Sequence, residues 1–397
     1  MGKSVADQQK SGFSDDHVRF MALHAALIAA QALTEPGISG SERLAMLERA
    51  HGIMLALRGP THAVGFAEFR GLVRGPVSGL LPPGRSPGGL ERVHAIDPET
   101  GERLVDLESL EGEFRHVARL SGKAPPWPWL REELAENKAF ELFRKGNDQA
   151  AYEQRRGFVI RHAAGTLASL RAMPGELSDL YGEVPMERIY DRWCFPCPLC
   201  RWPMSVRATG DVVRVLCDDR GHRERGAEYL FKRDDDKEGP PDLVQVHRGV
   251  AVPARARPLA PAAGQARAQE AAKTRMVGHE CWRSHVVPGL LELALYDELR
   301  TRGATVNLWP GMDSYDLHIA VPLDRVWKVD VKDVALVDPL ITSLEGEDGR
   351  GKWIVVPDRL RLEEPLLKRK LSRSGWKVCT ASKLATEVCR ALEVAWP

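Results

Sequence analysis

Apolar residues recur at spacings of three and four through HVRFMALHAALIAAQAL, residues 17–33, which is the period of one buried helix face. A second segment of this kind opens at Ser41 and closes at Gly59, so two antiparallel helices are predicted. Gly and Pro then break the pattern over 59–125, most densely in RGPVSGLLPPGRSPGG, and predict a long loop with short elements. Helical spacing returns from Trp127 to Met173 with an interruption near Gly146, so residues 1–185 read as a mostly α domain. Its WPWLREEL and YEQRRGFVIRH segments suit core aromatics beside a solvated charged face. Residues 253–275, PARARPLAPAAGQARAQEAAKTR, carry almost no large apolar side chains and read as a linker or an exposed helix. From His279 onward the pattern changes to alternating helix and strand signals. SHVVPGLLELALYDELRTRG has helical spacing and ends at Gly303. ATVNLW, PGMDSYDLHIAV and RVWKVDVKDVAL read as strands, the last two joined by the hairpin-length Pro322-Leu323-Asp324. After a Gly- and acid-rich loop, KWIVVPD reads as a strand, LEEPLLKRKLSRSG as a helix and WKVCTA as a strand leading to a closing helix.

The 397 residues exceed one small core, and 43% hydrophobic with 28% charged residues describes a globular chain. No apolar run reaches eighteen residues, which argues against a membrane span. MGKSVADQQKSGFSDD lacks the apolar core of a secretory signal, so a cytoplasmic location is expected, and Gly2 alone makes a weak myristoylation signal. The formal net charge of +1 means that any nucleic-acid surface must be local.

Cys194, Cys197, Cys200 and Cys217 lie close together, while Cys281, Cys379 and Cys389 are scattered. In a reducing compartment such a cluster implies metal before disulfides. Cys197-Pro-Leu-Cys200 forms one two-thiol turn, VVRVL a short strand, and Cys217 with His222 a second ligand pair. Four such ligands suit tetrahedral Zn²⁺ in a structural role, since a filled site leaves no position for catalytic water. The preferred set is Cys197, Cys200, Cys217 and His222, with Cys194 able to displace Cys200 or His222. The spacing resembles that of zinc ribbons, whose first knuckle is often CPxC, although the usual Gly after the second cysteine is Arg201 here. Arg201, Arg207, Arg214, Arg220, Arg223 and Arg225 suit either phosphate contacts or a solvated face balanced by Asp211, Asp218, Asp219 and Glu224.

Asp330 and Lys332 are two apart on one predicted strand and so share a sheet face, and Asp316 begins the strand paired with it. That order, with Asp330-Val331-Lys332 on the third strand, resembles the PD-(D/E)xK restriction-endonuclease-like superfamily. The resemblance implies that Asp316 and Asp330 bind Mg²⁺ or Mn²⁺ through oxygen and that Lys332 orients or helps deprotonate the attacking water. It also implies an upstream helix glutamate, which Glu292 supplies in preference to Glu298, with Asp313 as an understudy for Asp316. Tyr315 stands where the name pattern has Pro. His279, Cys281 and His285 with Glu280 have only weak spacing for a second metal site. Lys368-Arg369-Lys370 with Arg373 and Lys377 suits either phosphate contacts or a solvated helix face.

The expected fold is therefore multidomain: a mostly α domain at 1–185, a zinc ribbon at 186–235, an Ala/Pro/Arg-rich linker at 236–276 and an α/β restriction-endonuclease-like domain at 277–397. That architecture is similar to the nucleases of bacterial PIWI-RE defence islands. The similarity implies cleavage of invading DNA beside a PIWI-like protein and a helicase, and a homodimer if both strands are cut. A nucleic-acid-binding adaptor with a silent fold and an assembly subunit docking through residues 1–185 are the rival expectations.

Overall fold

Ser14 opens the first helix of the computed structural model, its Oγ accepting the His17 N–H at 3.3 Å. The structure describes residues 14–35, 38–98, 101, 103, 130–233, 239–247, 251–334 and 336–397. The readings placed on Gly2 and on the Trp-Pro-Trp segment at 127–129 fall outside them. The chain divides into two units, 1–126 with 334–345, and 127–333 with 346–397.

In the first unit, α1 (Asp15–Thr34) packs on α2 (Gly40–Arg58), as the apolar spacing predicts. The α1 face is rich in buried alanines, including Ala25, Ala26, Ala29 and Ala30, which lets helices approach closely. α2 starts one residue earlier than expected because Ser39 caps it, and Gly59 closes it at φ 71°. The short α3 (Phe66–Leu72) follows. The helix Val337–Leu344, which lies where the sequence predicts a strand end and a loop, also belongs to this unit.

The second unit begins with α4 (Leu130–Arg144) and α5 (Gln149–Arg161), separated by the predicted break at Gly146. Helix ends at Arg161 rather than near Met173, and β1 (Ala164–Thr166) follows. β1 and β2 (Tyr181–Glu183) flank a strand about a hundred residues downstream, so residues 164–183 fold with the C-terminal region and not with α1 and α2. β3 (Trp193–Cys194) is followed by β4 (Ser205–Thr209), β5 (Val212–Leu216), the short α6 (Arg220–Glu224), β6 (Glu228–Lys232) and β7 (Val244–Gln245). β4 to β7 form a four-stranded antiparallel sheet in sequence order.

The segment expected to be a linker is built into this unit. β8 (Gln269–Glu270) pairs with β3, and β9 (Thr274–Val277) is the middle strand between β1 and β2. Ala256, Leu259, Ala263 and Ala266 are buried, and the Ala263 N–H donates to the Arg225 carbonyl at 2.7 Å. Small side chains and main-chain hydrogen bonds anchor such a segment, so its lack of large apolar residues did not imply exposure.

α7 (Val287–Thr301) leads into a five-stranded mixed sheet: β10 (Thr305–Leu308), β11 (Leu317–Val321), β12 (Arg325–Val331), β13 (Lys352–Val356) and β14 (Lys377–Thr380), in that spatial order. The first three strands are antiparallel and the last three parallel. β12 stops at Val331, five residues short of the expected strand. α8 (Glu364–Leu371) packs on β14, and α9 (Ala381–Ala391) closes the unit. Alternate residues Leu317, Ile319, Trp327, Val329 and Val331 share a core with Leu291, Leu295 and Leu299 of α7. The opposite positions Thr305, Asn307, Val326 and Lys328 are exposed, so the β10–β12 side of the second face is open. No helix among the described residues is long and apolar enough to cross a membrane.

Candidate metal centre and candidate active site

The Cys/His cluster at 197–222, where the sequence predicts a ribbon, is built by three short-range devices. The Cys197–Cys200 turn closes through the Arg201 N–H, which donates to the Cys197 carbonyl at 2.8 Å. Arg201 takes φ 66°, the left-handed conformation for which ribbons usually use Gly, at a cost of about 1–2 kcal/mol. The β4–β5 hairpin then returns the chain to Cys217, and α6, capped by Asp219, carries His222. The ligand atoms of Cys197, Cys200, Cys217 and His222 all lie within 4.8 Å of one another, and all four residues are buried. Cys200 and Cys217 Sγ are 3.9 Å apart. Tetrahedral Zn–S bonds of roughly 2.3 Å require about 3.8 Å between sulfurs. The four can therefore hold a structural metal ion such as Zn²⁺, through Nδ1 of His222, which lies 3.3 Å from Cys217 Sγ. Asp219 Oδ1 faces the other ring nitrogen at 3.6 Å, the kind of outer partner that orients a ligating imidazole. Burial opposes ionisation of Cys197, yet hydrogen bonds from Cys200, Cys217 and His222 hold its thiol well below the ordinary range. Cys194 lies outside this group, on β3, where burial pushes its thiol up.

Of the arginines around this cluster Arg223 is buried, Arg201 and Arg220 are exposed, and Arg207, Arg214 and Arg225 are half-buried. Arg223 donates to the Cys217 carbonyl at 2.9 Å, Arg214 pairs with Glu228 at 2.7 Å and Arg220 with Glu224 at 2.8 Å. Arg188, which sequence reasoning passed over, lies buried 3.9 Å over the Trp202 ring and bonds Asp218 at 2.5 Å.

The acids of the C-terminal region gather at one end of the five-stranded sheet. Asp316 is fixed by both strands: its N–H donates to the Val329 carbonyl at 3.0 Å, and its Oδ2 accepts the Val331 N–H at 2.6 Å. Asp330 Oδ1 lies 4.0 Å from Lys332 Nζ, as the two-residue spacing predicts. Lys332 N–H continues onto the Val355 carbonyl at 2.8 Å, which holds the end of β12 against β13. Glu292 projects from α7 and is buried, its Oε2 accepting from Trp309 Nε1. Glu298 instead turns to Arg302 at 2.5 Å. Burial raises the Glu292 and Asp330 carboxyls above the ordinary range and Asp316 well above it, with Glu292 repelling Asp316 further. Burial disfavours the Lys332 cation, but Asp316, Asp330 and Glu292 outweigh it and raise the ammonium, so Lys332 stays charged.

Sequence reasoning missed the residue at the middle of this cluster. Arg156, from α5, bonds Glu292 at 3.2 Å, pairs with Asp313, and stands 4.0 Å from Asp316. Its guanidinium lies 4.6 Å over the Trp309 ring, and Tyr152 Oη accepts from it at 3.1 Å. At 4% exposure Arg156 is a core residue, not part of the solvated face read into YEQRRGFVIRH. Gln149, two helical turns earlier on the same face, grips the loop between β10 and β11. Its Nε2 donates to the Leu308 and Trp309 carbonyls at 3.2 and 3.0 Å, and its Oε1 accepts the Met312 N–H at 2.9 Å. That loop is strained, with Trp309, Met312 and Asp313 at φ 45°, 52° and 85°. Helix α5 reaches α7 closely because Gly289 leaves room for Ile160, which a Cβ there would overlap. No sequence signal marked it, because Glu153 three residues earlier offers Arg156 an ordinary partner on its own helix.

Among the described residues, Cys197, Cys200, Cys217 and His222 are the one group of three or more His, Cys, Asp or Glu placed so that it could hold a metal ion. Asp316 and Asp330 are the oxygen donors that Mg²⁺ or Mn²⁺ favours, but as arranged Asp316, with Glu292 and Asp313, is paired to the Arg156 guanidinium, Asp330 to Lys332, and the set does not fit a divalent cation. His279, Cys281 and His285 do not converge either: His279 lies against Trp202, and His285 against Phe140 and Phe143. Beside the acids, Asn307, His318, Lys328 and Lys352 stand in cross-strand register over β10 to β13, one pleat below Asp330 on its face. In the later basic stretch, Lys368 pairs with Glu364 at 2.7 Å and Lys377 stands over Trp353.

No curated protein and no solved structure matches the chain. Residues 289–396, which include α7 from Gly289 onward, the five-stranded sheet, Glu292, Asp316, Asp330 and Lys332, match the family model described as "REase associating with pPIWI_RE", a restriction-endonuclease-like domain.

Proposed function

We propose that the chain is an endonuclease that hydrolyses DNA phosphodiester bonds in a PIWI-RE-linked defence system, working with a PIWI-like protein and a helicase. One observation carries this reading: Asp316, Asp330 and Lys332 meet at the strand end of a domain that matches a nuclease family model. Lys332, kept charged by the surrounding carboxylates, suits a phosphate oxygen and the charge that develops on it in the transition state. Asp330, raised by burial, is closer than an ordinary aspartate to the working range of a general base for the attacking water. The in-register row at His318, Lys328 and Lys352 offers donors to neighbouring phosphates. The second reading, a binding adaptor with a silent fold, is favoured by the pairing of Glu292, Asp313 and Asp316 to Arg156.

Purified full-length protein, incubated with single-stranded, duplex and branched DNA and with RNA in Mg²⁺ or Mn²⁺, separates the two. The nuclease reading expects cutting that Asp330→Asn and Lys332→Ala abolish while binding persists. Binding without cutting on every substrate, in the presence of both partner proteins, favours the adaptor.

A further inference from the structure

Arg156 lies outside the segment that matches the nuclease family model, yet its guanidinium is the cation around which three acids of the site are arranged. A buried arginine paired on several sides ordinarily reads as a structural ion cluster. Three features here point further. Carboxyl groups outnumber the cations among them, because Glu292, Asp313, Asp316 and Asp330 share Arg156 and Lys332, with Lys352 acting on Asp330 alone. The fit is incomplete, because the buried Arg156 Nε has no hydrogen-bond partner. Finally, the loop carrying Asp313 is strained, with Trp309, Met312 and Asp313 all in left-handed backbone, and is clamped by Gln149 of the same helix. Helix α5 thus holds both the counter-ion and the loop, and a shift of α5 would release both together.

We infer that Arg156 is a built-in competitor of the divalent cation: it holds Glu292, Asp313 and Asp316 in an arrangement closed to metal, and a cation enters only as the guanidinium withdraws. The inference rests on the nuclease reading for its purpose but not for its chemistry. A site competent only while Arg156 is withdrawn binds metal with an affinity reduced by the fraction of chains in that state. A nuclease kept in this way stays idle until a partner or substrate draws α5 aside, which suits an enzyme whose unrestrained activity would damage its host's DNA.

The test is titration of the full-length, zinc-loaded protein with Mn²⁺, following free Mn²⁺ by electron paramagnetic resonance. Arg156→Met keeps comparable volume without the charge and is expected to bind Mn²⁺ at least tenfold tighter than the unaltered chain, a gain that adding Asp330→Asn removes. Equal affinity in folded Arg156→Met and the unaltered chain overturns the inference. A second measurement needs no change at Arg156, since its guanidinium rests on Trp309. Saturating Mg²⁺ is expected to change the tryptophan emission of the unaltered chain and not that of Trp309→Phe. An unchanged emission while Mg²⁺ displaces bound Mn²⁺ also overturns it. Tighter Mn²⁺ binding with no cutting by either protein defeats the nuclease reading and leaves the competitor in place. Cutting with equal Mn²⁺ affinity does the reverse.

Discussion

The ribbon and the acid cluster are two polar centres of one unit, and they are assembled in opposite ways. The ribbon takes its four ligands from a span of 25 positions, Cys197 to His222, and draws them together with a knuckle, a hairpin and a capped turn of helix. The acid cluster takes its central charge from 136 positions upstream of Glu292, across two helices and a loop. Soft ligands at tetrahedral spacing leave room for one ion, whereas the carboxylates have been given a side chain as their cation. A motif held by local geometry states its chemistry in the sequence. One completed by a distant residue does not, and its state can change when that residue moves.

The largest expected effect lies at the ribbon. Removal of the metal by a chelator, or Cys200→Ser, is expected to destabilise β4–β7 strongly, because structural zinc contributes on the order of 10 kcal/mol where it is bound, although Val213, Val215, Tyr229 and Phe231 share the unit's main core. The check is metal content by mass spectrometry beside thermal unfolding, with about one ion per chain falling to none. The acid centre should behave in the contrary manner: Asp330→Asn and Lys332→Ala are expected to lower cleavage by roughly 10²–10⁴-fold while leaving thermal unfolding near that of the unaltered chain. A large stability loss in both would make the cluster structural and erase the contrast.

Gln149→Ala tests whether α5 holds the β10–β11 loop. Losing its bonds to Leu308, Trp309 and Met312 leaves main-chain groups unpaired, at roughly 1–3 kcal/mol. Faster amide exchange at 309–313 with the ribbon unchanged is the expected signature. On the open sheet face, Lys328→Ala and Lys352→Ala together should weaken DNA binding several-fold and flatten its dependence on log salt by about 0.7–0.9 for each phosphate no longer neutralised. An unchanged slope in fluorescence anisotropy would remove this row from the nucleic-acid surface.

The smallest effect is expected at a site remote from both centres. Burial pushes Glu364 up, but hydrogen bonds and charge from Lys368 and Lys383 prevail and lower it below its ordinary 4.5. A depressed carboxylate contributes stability above its unfolded value and loses it as pH falls through the folded one. Glu364→Gln should therefore lower the unfolding temperature near neutral pH and make no difference once both states are protonated, well below about pH 4.

Wherever residues close in the chain cooperate, the sequence was sufficient. The CPLC knuckle, Cys217 and His222 named their own cluster, and Asp330 and Lys332 shared a face because strand geometry allows nothing else. Strand alternation likewise marked β11 and β12, joined at the predicted hairpin. Two kinds of feature escaped. Residues 253–275 read as a linker because burial by alanine and by main-chain pairing leaves no trace in hydropathy. The helix Val337–Leu344 was hidden between a strand ending and a Gly-rich loop, where a run of only eight helical residues competes with strand signals.

By itself the sequence determined the two chemistries present, thiolate with imidazole and carboxylate with ammonium, and the sheet register that brings the second set to one edge. Only the tertiary structure decided which charge stands among those carboxylates. A buried guanidinium can be supplied by any helix that packs within reach, and Arg156 carries no local mark of its partners. Side-chain spacing is dictated by backbone periodicity, but long-range ion pairing is dictated by how the elements pack, and that is where Gly289 admits α5 to α7 and places Arg156 among the acids.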